Sequence, residues 1–433
     1  MKACSLATVQ LDLQRIPNKL IDEFKLVIRS FKRPGSISEL GIGGNFRHNV
    51  MLFVLTAQFR EVLVKVAVVH DWLTVYSGAE KVLEQILSLY PEADVFTLFD
   101  FLPVEQRRYL RGHRISTSFL QNFPFAKTHY RFFLALMPLA IEQFDFSDYD
   151  LVISSSHAVA KGVITGPNQV HISYVHSPIR YAWDLQGQYL KEANLTKGLK
   201  SWLARWQLHK IRLWDYRTGA GVDYYAANSH FIAKRIRKIY GRDAQVIYPP
   251  VDMDDFQLCE QKKDYYVTAQ RMVPYKKVAL IVEAFSQMPD KELLVLGDGP
   301  DMEKVRKAAT TPNIKILGYQ SKEDLVQLVQ AAKAFVFAAE EDFGIAPVEA
   351  QACGTPVLAY GVGGALETVE NGCTGLFFQH QSVGGIIEAV ERFEKGGVSY
   401  SAAQIRQAAL KFSQQRFIDE FSALVDSASK KEC

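Results

Sequence analysis

The stretch EEDFGIAPVEA, residues 340–350, sets Glu341 and Glu349 eight positions apart around Phe343, Gly344, Ile345 and Pro347. An ionised carboxylate accepts hydrogen bonds from neighbouring hydroxyls, so two in one crevice suit a polyol such as a sugar together with a ribose. The apolar run before Glu340 reads as a strand ending at Ala339, which makes Glu341 project from the carboxyl edge of a sheet. Gly344 then lets backbone approach a ligand closely. Pro347 suits a first helical position and would put Glu349 in the opening turn, where the helix dipole alone also favours an acid. Glu340 reads as a solvated neighbour.

A second group of residues carries positive charge. In AQRMVPYKK, residues 269–277, Arg271 ends an apolar run and Lys276 follows five residues later. Such cations suit a diphosphate, Arg gripping as a fork and Lys as a point charge; Lys277 reads equally well as surface charge. LGDGP holds only Gly297-x-Gly299, without the third glycine of a dinucleotide fingerprint, and reads as a tight turn under a nucleotide base. In TVYSGAEKV, Ser77 and Gly78 stand ahead of a helix, where free N–H groups could meet phosphate or simply form an N-cap turn. YVHSPIRYAWD places His176 after a strand, to touch a reacting sugar or to serve as a structural imidazole.

These residues need a scaffold of strands and helices. A chain of 433 residues exceeds one core, and at roughly 150 residues per domain suggests two or three units. Its 50 Lys plus Arg against 47 Asp plus Glu and 48% apolar content exclude a disordered chain or a bulk nucleic-acid binder. Five cysteines without a C-x-x-C pair signal neither a zinc site nor a disulfide framework. The start shows no secretory pattern and no stretch has the length of a membrane span, so a cytoplasmic protein is expected.

From Val64 onward, apolar runs ending in polar residues alternate with helical spacing: VKVAVVHDW, DVFTLFD, DLVISSS and HISYVHSP, then YYVTAQR, ELLVLGDG, NIKILG, AFVFAAE, TPVLAYG and GLFF. The second set is separated by helical stretches 277–287, 301–309, 322–332 and 347–353. This pattern predicts an α/β protein of two doubly wound Rossmann-like domains facing a central cleft, with ligands at the carboxyl ends of the strands. The expected divisions are residues 1–63, an atypical extension or misassigned start rather than a small subdomain; 64–255; 256–414; and a last helix, 415–433, crossing back to the first domain.

Together these residues resemble the retaining glycosyltransferases of family 4, of GT-B fold, over roughly residues 64–425. The specific part is the E-x7-E signature, Glu341 to Glu349, followed by AQACGTPVLAYGVGGALETVENGCTG. RMVPYKK and VHDWLTVYSGAEKVLEQI look closest to the subgroup named for the bacterial O-antigen mannosyltransferase WbaZ. The resemblance implies that Arg271 and Lys276 neutralise the donor diphosphate, Glu349 holds ribose hydroxyls and Glu341 those of the transferred sugar. Amides near Phe343, Gly344 and Ile345 would contact sugar or phosphate, Gly78 would mark the phosphate-facing loop, and His176 would lie near the donor sugar. Asp342 stands where the family usually has glycine, and Ala338-Ala339 where Pro-Ser is common.

The implied reaction is front-face transfer of a hexose, mannose from GDP-mannose, to a lipid-linked or polysaccharide acceptor in bacterial surface glycan synthesis, with retained configuration and no metal or other cofactor. Asp252-Met253-Asp254 formally matches a D-x-D metal motif but reads as linker. Other readings are a glucosyl or other hexosyltransferase using a UDP- or ADP-sugar, a sugar-nucleotide epimerase, a glycan phosphorylase or a non-catalytic sugar binder. Residues 197–217, basic with Leu199, Trp202, Trp206 and Leu213 at helical spacing, suit an anionic membrane surface or, equally, a core helix with a basic outer face.

Overall fold

The computed structural model describes residues 64–431. The expectation for residues 1–63 lies outside the described residues. Two parallel sheets organise the rest. The first holds β1 (Val66–His70), β2 (Asp94–Thr97), β3 (Ile115–Thr117), β4 (Leu151–Ser156), β5 (Val170–Val175), β6 (Tyr224–Ala227) and β7 (Gln245–Val246), in the order β3-β2-β1-β4-β5-β6-β7. The second holds β8 (Tyr266–Ala269), β9 (Leu293–Leu296), β10 (Ile314–Gly318), β11 (Ala334–Phe337), β12 (Val357–Tyr360) and β13 (Gly375–Phe378), in the order β10-β9-β8-β11-β12-β13. β11 is apolar throughout and β1 is apolar up to its last residue, His70, and both are buried at every residue, because a parallel sheet is covered on both faces.

Seven of the described helices pack around these sheets as α1 (Gly78–Leu89), α2 (Gly198–Thr218), α3 (His230–Tyr240), α4 (Val278–Ser286), α5 (Lys322–Gln330), α6 (Ile345–Ala352) and α7 (Gln414–Lys431). Amphipathic α1 turns Val82, Leu83, Ile86 and Leu87 inward. The apolar runs above do not include β3, β6, β7 or α3; β3 and β7 run only three and two residues, too few for a pattern to register. Between β7 and β8 the chain runs as turns and coil. Asp252 there accepts the amides of Asp254 and Asp255 at 3.0 and 3.2 Å, so its carboxylate holds a turn.

The final helix leaves the second sheet. Phe417, Phe421, Leu424, Val425 and Ala428 of α7 join the core of β1, β4 and β5, and Phe417 stacks on Phe421 at 5.7 Å. No helix among the described residues is long and apolar enough to cross a membrane. In each sheet the strand order reverses once, between β1 and β4 and between β8 and β11. At such switch points the adjacent loops diverge and leave a crevice. The residues of interest cluster there: His70 ends β1 opposite Ser155 of β4, Arg271 follows β8, and Glu341 follows β11.

Candidate active site

In the second half, backbone packing dictates glycine. Gly297 after β9 has φ +115°, and a Cβ there would lie 2.0 Å from the Gln270 carbonyl oxygen. The loop after β9 is thus pressed against the loop after β8, and the Met272 amide donates to the Asp298 oxygen at 2.9 Å. Gly344 at φ +85° caps α6 in the left-handed region, which glycine enters without strain. Gly364 donates to the Glu341 carbonyl at 2.8 Å, and a Cβ on it would strike Phe343 Cα at 2.3 Å. The GVGG loop after β12 therefore clamps the loop that carries Glu341.

α6 begins at Ile345, which corrects the placement of Pro347 at the first helical position. Gly344 is the N-cap, Pro347 the third helical residue, and Glu349 lies beyond the opening turn. Proline is tolerated there because first-turn amides have no intrahelical acceptor. Dipole stabilisation consequently does not account for Glu349. Its Oε1 instead accepts from Lys81 Nζ of α1 at 2.6 Å, joining the two halves. Burial would depress the Lys81 ammonium, but the adjacent Glu349 carboxylate raises it above its ordinary value.

Lys276 of the second half lies in ion-pair contact with Glu341. Burial, then the Arg180 guanidinium, lower the Lys276 ammonium to about 7, opposed by Asp342; contact with Glu341 acts in the same sense as Asp342. Arg271 is exposed and forms no ion pair among the described residues. Each predicted carboxylate thus sits on a lysine, while Arg271 remains open to solvent. The N-termini of α1 and α6 also meet, since a Cβ on Gly78 would stand 2.9 Å from Ile345 Cδ1. Both ends expose N–H groups of the sort that bind phosphate.

Asp342 belongs to a latch that sequence reasoning missed. Its carboxylate meets Arg235 of α3 at 2.6 Å and Arg180 at 3.2 Å, while its carbonyl accepts from Ser229 Oγ at 2.6 Å. Glu367 accepts the His230 and Phe231 amides at 2.8 and 2.9 Å, capping the start of α3 from the second half. A negative group is favoured at that end of a helix. No local pattern reveals these pairs, whose partners lie more than 100 residues apart.

His176 follows β5, half-buried. Its Nε2 faces Ser155 Oγ at 2.8 Å. His157 stands 6.3 Å from it and His70 6.1 Å from His157, ring to ring. Burial, then the neighbouring His157 and His70, push His176 well below its ordinary pKa, so it is neutral at pH 7. Asp71 accepts the amides of residues 157–160 at 2.6 to 3.0 Å and fixes the segment carrying His157. Three imidazoles from separate strand ends gather here, of which only His176 stood out in sequence.

The profile described as "Glycosyltransferase Family 4" matches residues 76–255, and that described as "Glycosyl transferases group 1" matches residues 252–412. The chain belongs to these GT-B glycosyltransferases. It spans about half the length of the curated relatives it matches: D-inositol 3-phosphate glycosyltransferase of Mycobacterium sp. (strain JLS) is 28% identical over 213 residues, 44% of this chain and 48% of that protein. Among solved structures, Anabaena HepE in complex with UDP and glucose is similar at TM-score 0.61 and 18% identity, over 84% of this chain and 100% of that one. Sucrose-phosphate synthase of Thermosynechococcus elongatus is similar at TM-score 0.64 and 16% identity, over 85% and 100%. Both likenesses carry the GT-B fold. Neither these structures nor that relative bears a mannosyltransferase name, so the WbaZ-like grouping rests on the residue resemblance alone.

Proposed function

We propose that the chain transfers a hexose from a nucleoside diphosphate sugar to a glycan or lipid-linked acceptor, with retained configuration and no metal. The observation that carries this is the meeting of two helix N-termini, at Gly78 and Ile345, beside Lys81, Lys276, Glu341 and Glu349. On donor binding, Lys276 exchanges Glu341 for diphosphate and Lys81 releases Glu349. The two carboxylates then accept hydroxyls of the sugar and the ribose. Positive charge and helix ends oppose the charge that develops on the departing diphosphate. Arg271, in the open, adds a forked contact. The acceptor hydroxyl attacks the donor's anomeric carbon on the leaving-group face, and its proton passes to the departing phosphate.

The residue resemblance favours GDP-mannose; the HepE likeness, solved with UDP and glucose, favours a UDP-hexose as the second reading. Incubation with GDP-mannose, UDP-glucose and ADP-glucose, with and without membrane extract, tests both. Transfer that requires extract supports the reading; an altered sugar nucleotide without transfer indicates an epimerase, and binding without turnover a sugar-binding module.

The acceptor reading extends to a membrane surface. α2 buries Ser201, Leu208, Ile211 and Asp215, but turns Leu199 and Trp202 outward at 80% and 63% exposure, with Leu203, Trp206 and Leu213 beside them. Those tryptophans are not core residues, so the core-helix alternative fails for that face. Lys200, Arg205 and Lys210 flank the stripe, and Lys210 lies over the Trp206 ring. An exposed apolar stripe bordered by cations fits an anionic bilayer. Vesicle sedimentation of a Lys200→Glu/Arg205→Glu variant should show reduced binding; unchanged binding rejects this helix.

A further inference from the structure

A continuous chain of hydrogen bonds runs beneath the first-half switch point. The Ser77 amide and hydroxyl donate to Glu80 Oε2 at 3.0 and 2.9 Å. Glu80 Oε1 faces His70 Nε2 at 3.4 Å, His70 Nδ1 faces Ser155 Oγ at 3.1 Å, and Ser155 Oγ faces His176 Nε2 at 2.8 Å. His70 and Ser155 are fully buried and Glu80 nearly so. His176 Nδ1 makes no hydrogen bond among the described residues, which leaves it for a ligand.

The direction of every proton in this chain follows from one end. A carboxylate only accepts. Burial alone would raise the Glu80 carboxyl, but its hydrogen bond to His70, then the Ser77 contacts, hold it below its ordinary value. It is therefore ionised at pH 7, and His70 must present Nε2–H to it. When that is the ring's one proton, His70 Nδ1 is bare and accepts the Ser155 hydroxyl proton. Ser155 has one proton to give, so its oxygen accepts from His176, whose neutral ring carries its hydrogen on Nε2. His176 Nδ1 is left with a lone pair.

We propose that His70 carries one proton, on Nε2 against Glu80, and that Glu80, His70 and Ser155 thereby act as positioning residues that lock the His176 proton on Nε2 and turn Nδ1 into a hydrogen-bond acceptor for a hydroxyl of the transferred sugar. The sugar contact rests on the proposed transferase reading; the proton placement does not. The locking group comes from the first turn of α1, whose start faces Ile345 of the second half, so the same Glu80 that braces that turn also sets the imidazole. His157 and Asp71, the other titratable groups close to His70, lie 3.1 Å apart, Nδ1 to Oδ2, and stand outside the chain.

Histidine labelled with 15N in the full chain, read by long-range proton–nitrogen correlation, tests this without any turnover. The His176 signals are assigned by their loss in His176→Gln. In the wild type His176 shows the Nε2–H form. In Glu80→Gln the amide oxygen stays with the Ser77 N–H and the amide nitrogen donates to His70, reversing every bond, so His176 switches to the Nδ1–H form. In Ser155→Ala the lock is gone, and the two His176 nitrogen shifts, far apart when one tautomer dominates, draw together.

A wild-type His176 protonated on Nδ1 overturns the proposal, as does an unchanged tautomer in Glu80→Gln. If Glu80→Gln does not fold, unmoved shifts in Ser155→Ala overturn it alone. Where transfer is measurable, Ser155→Ala lowers kcat/KM on the order of fivefold, the worth of one hydrogen bond, and Ser155→Thr restores it. Absent turnover with the expected tautomers rejects the transferase reading and leaves the lock standing.

Discussion

The two halves of this molecule share a fold and a strand order but build their sites by different means. In the second half the site is backbone: Gly297, Gly344 and Gly364 sit where a side chain would meet main-chain atoms or a left-handed φ. In the first half it is side chain: buried His70, Ser155 and Glu80 hold one another through polar hydrogens. The second half therefore tolerates little change in backbone shape, whereas the first cannot spare a donor or an acceptor. The ion pairs differ in parallel. Lys276 and Glu341 lie within the second half, while Lys81 and Glu349 span both, so the second pair also joins the halves.

Shape changes in the second half carry the largest expected effect. Gly364→Val forces a side chain into Phe343 backbone and should destabilise by roughly 3 kcal/mol or more, seen as a fall in Tm together with loss of nucleotide binding. A wild-type Tm would break the contrast. Removing a carboxylate should cost less in stability and more in ligand binding. Glu341→Ala and Glu349→Ala should each weaken nucleotide-sugar binding roughly 10- to 100-fold, as expected for a charge-assisted hydrogen bond, in a calorimetric titration.

A smaller effect is expected from pH. Lys276 is lowered to about 7 by burial and by Arg180, and a bound diphosphate favours its charged form, so binding takes up a proton. Affinity for nucleoside diphosphate should be full below pH 7 and fall by up to tenfold per unit above it, a slope that Lys276→Arg removes. The smallest effect is expected at Lys81. Its pair is partly exposed, and such pairs contribute about 1 kcal/mol or less, so Lys81→Met should leave Tm within a few degrees of the wild type.

Much of the second half was legible in sequence because its strands are unbroken apolar runs and its charged residues follow them directly. Arg271, Lys276 and Glu341 follow strand ends for that reason, and Glu349 lies in the helix that comes next. The first half was less legible. His70, His157 and His176 come together only because β1, β4 and β5 are neighbours, and strand order is a property of the whole sheet. Lys81 and Glu349 are 268 positions apart, and nothing local signals their contact. Helical spacing showed that α2 has an apolar stripe but not whether that stripe packs, since periodicity does not say what lies opposite. Pro347 misled by two residues because proline is compatible with several first-turn positions, and Gly344 decided where the helix begins.

On the proposed function, the paired charges line a slot for a nucleoside diphosphate sugar. Calorimetric titration of the full chain with GDP and UDP, beside Glu349→Gln and the exposed-neighbour control Glu340→Gln, tests it most directly. The account predicts one site, at least tenfold weaker in Glu349→Gln and unchanged in Glu340→Gln. Equal affinity in all three proteins, or no binding of either nucleotide to the wild type, would contradict it.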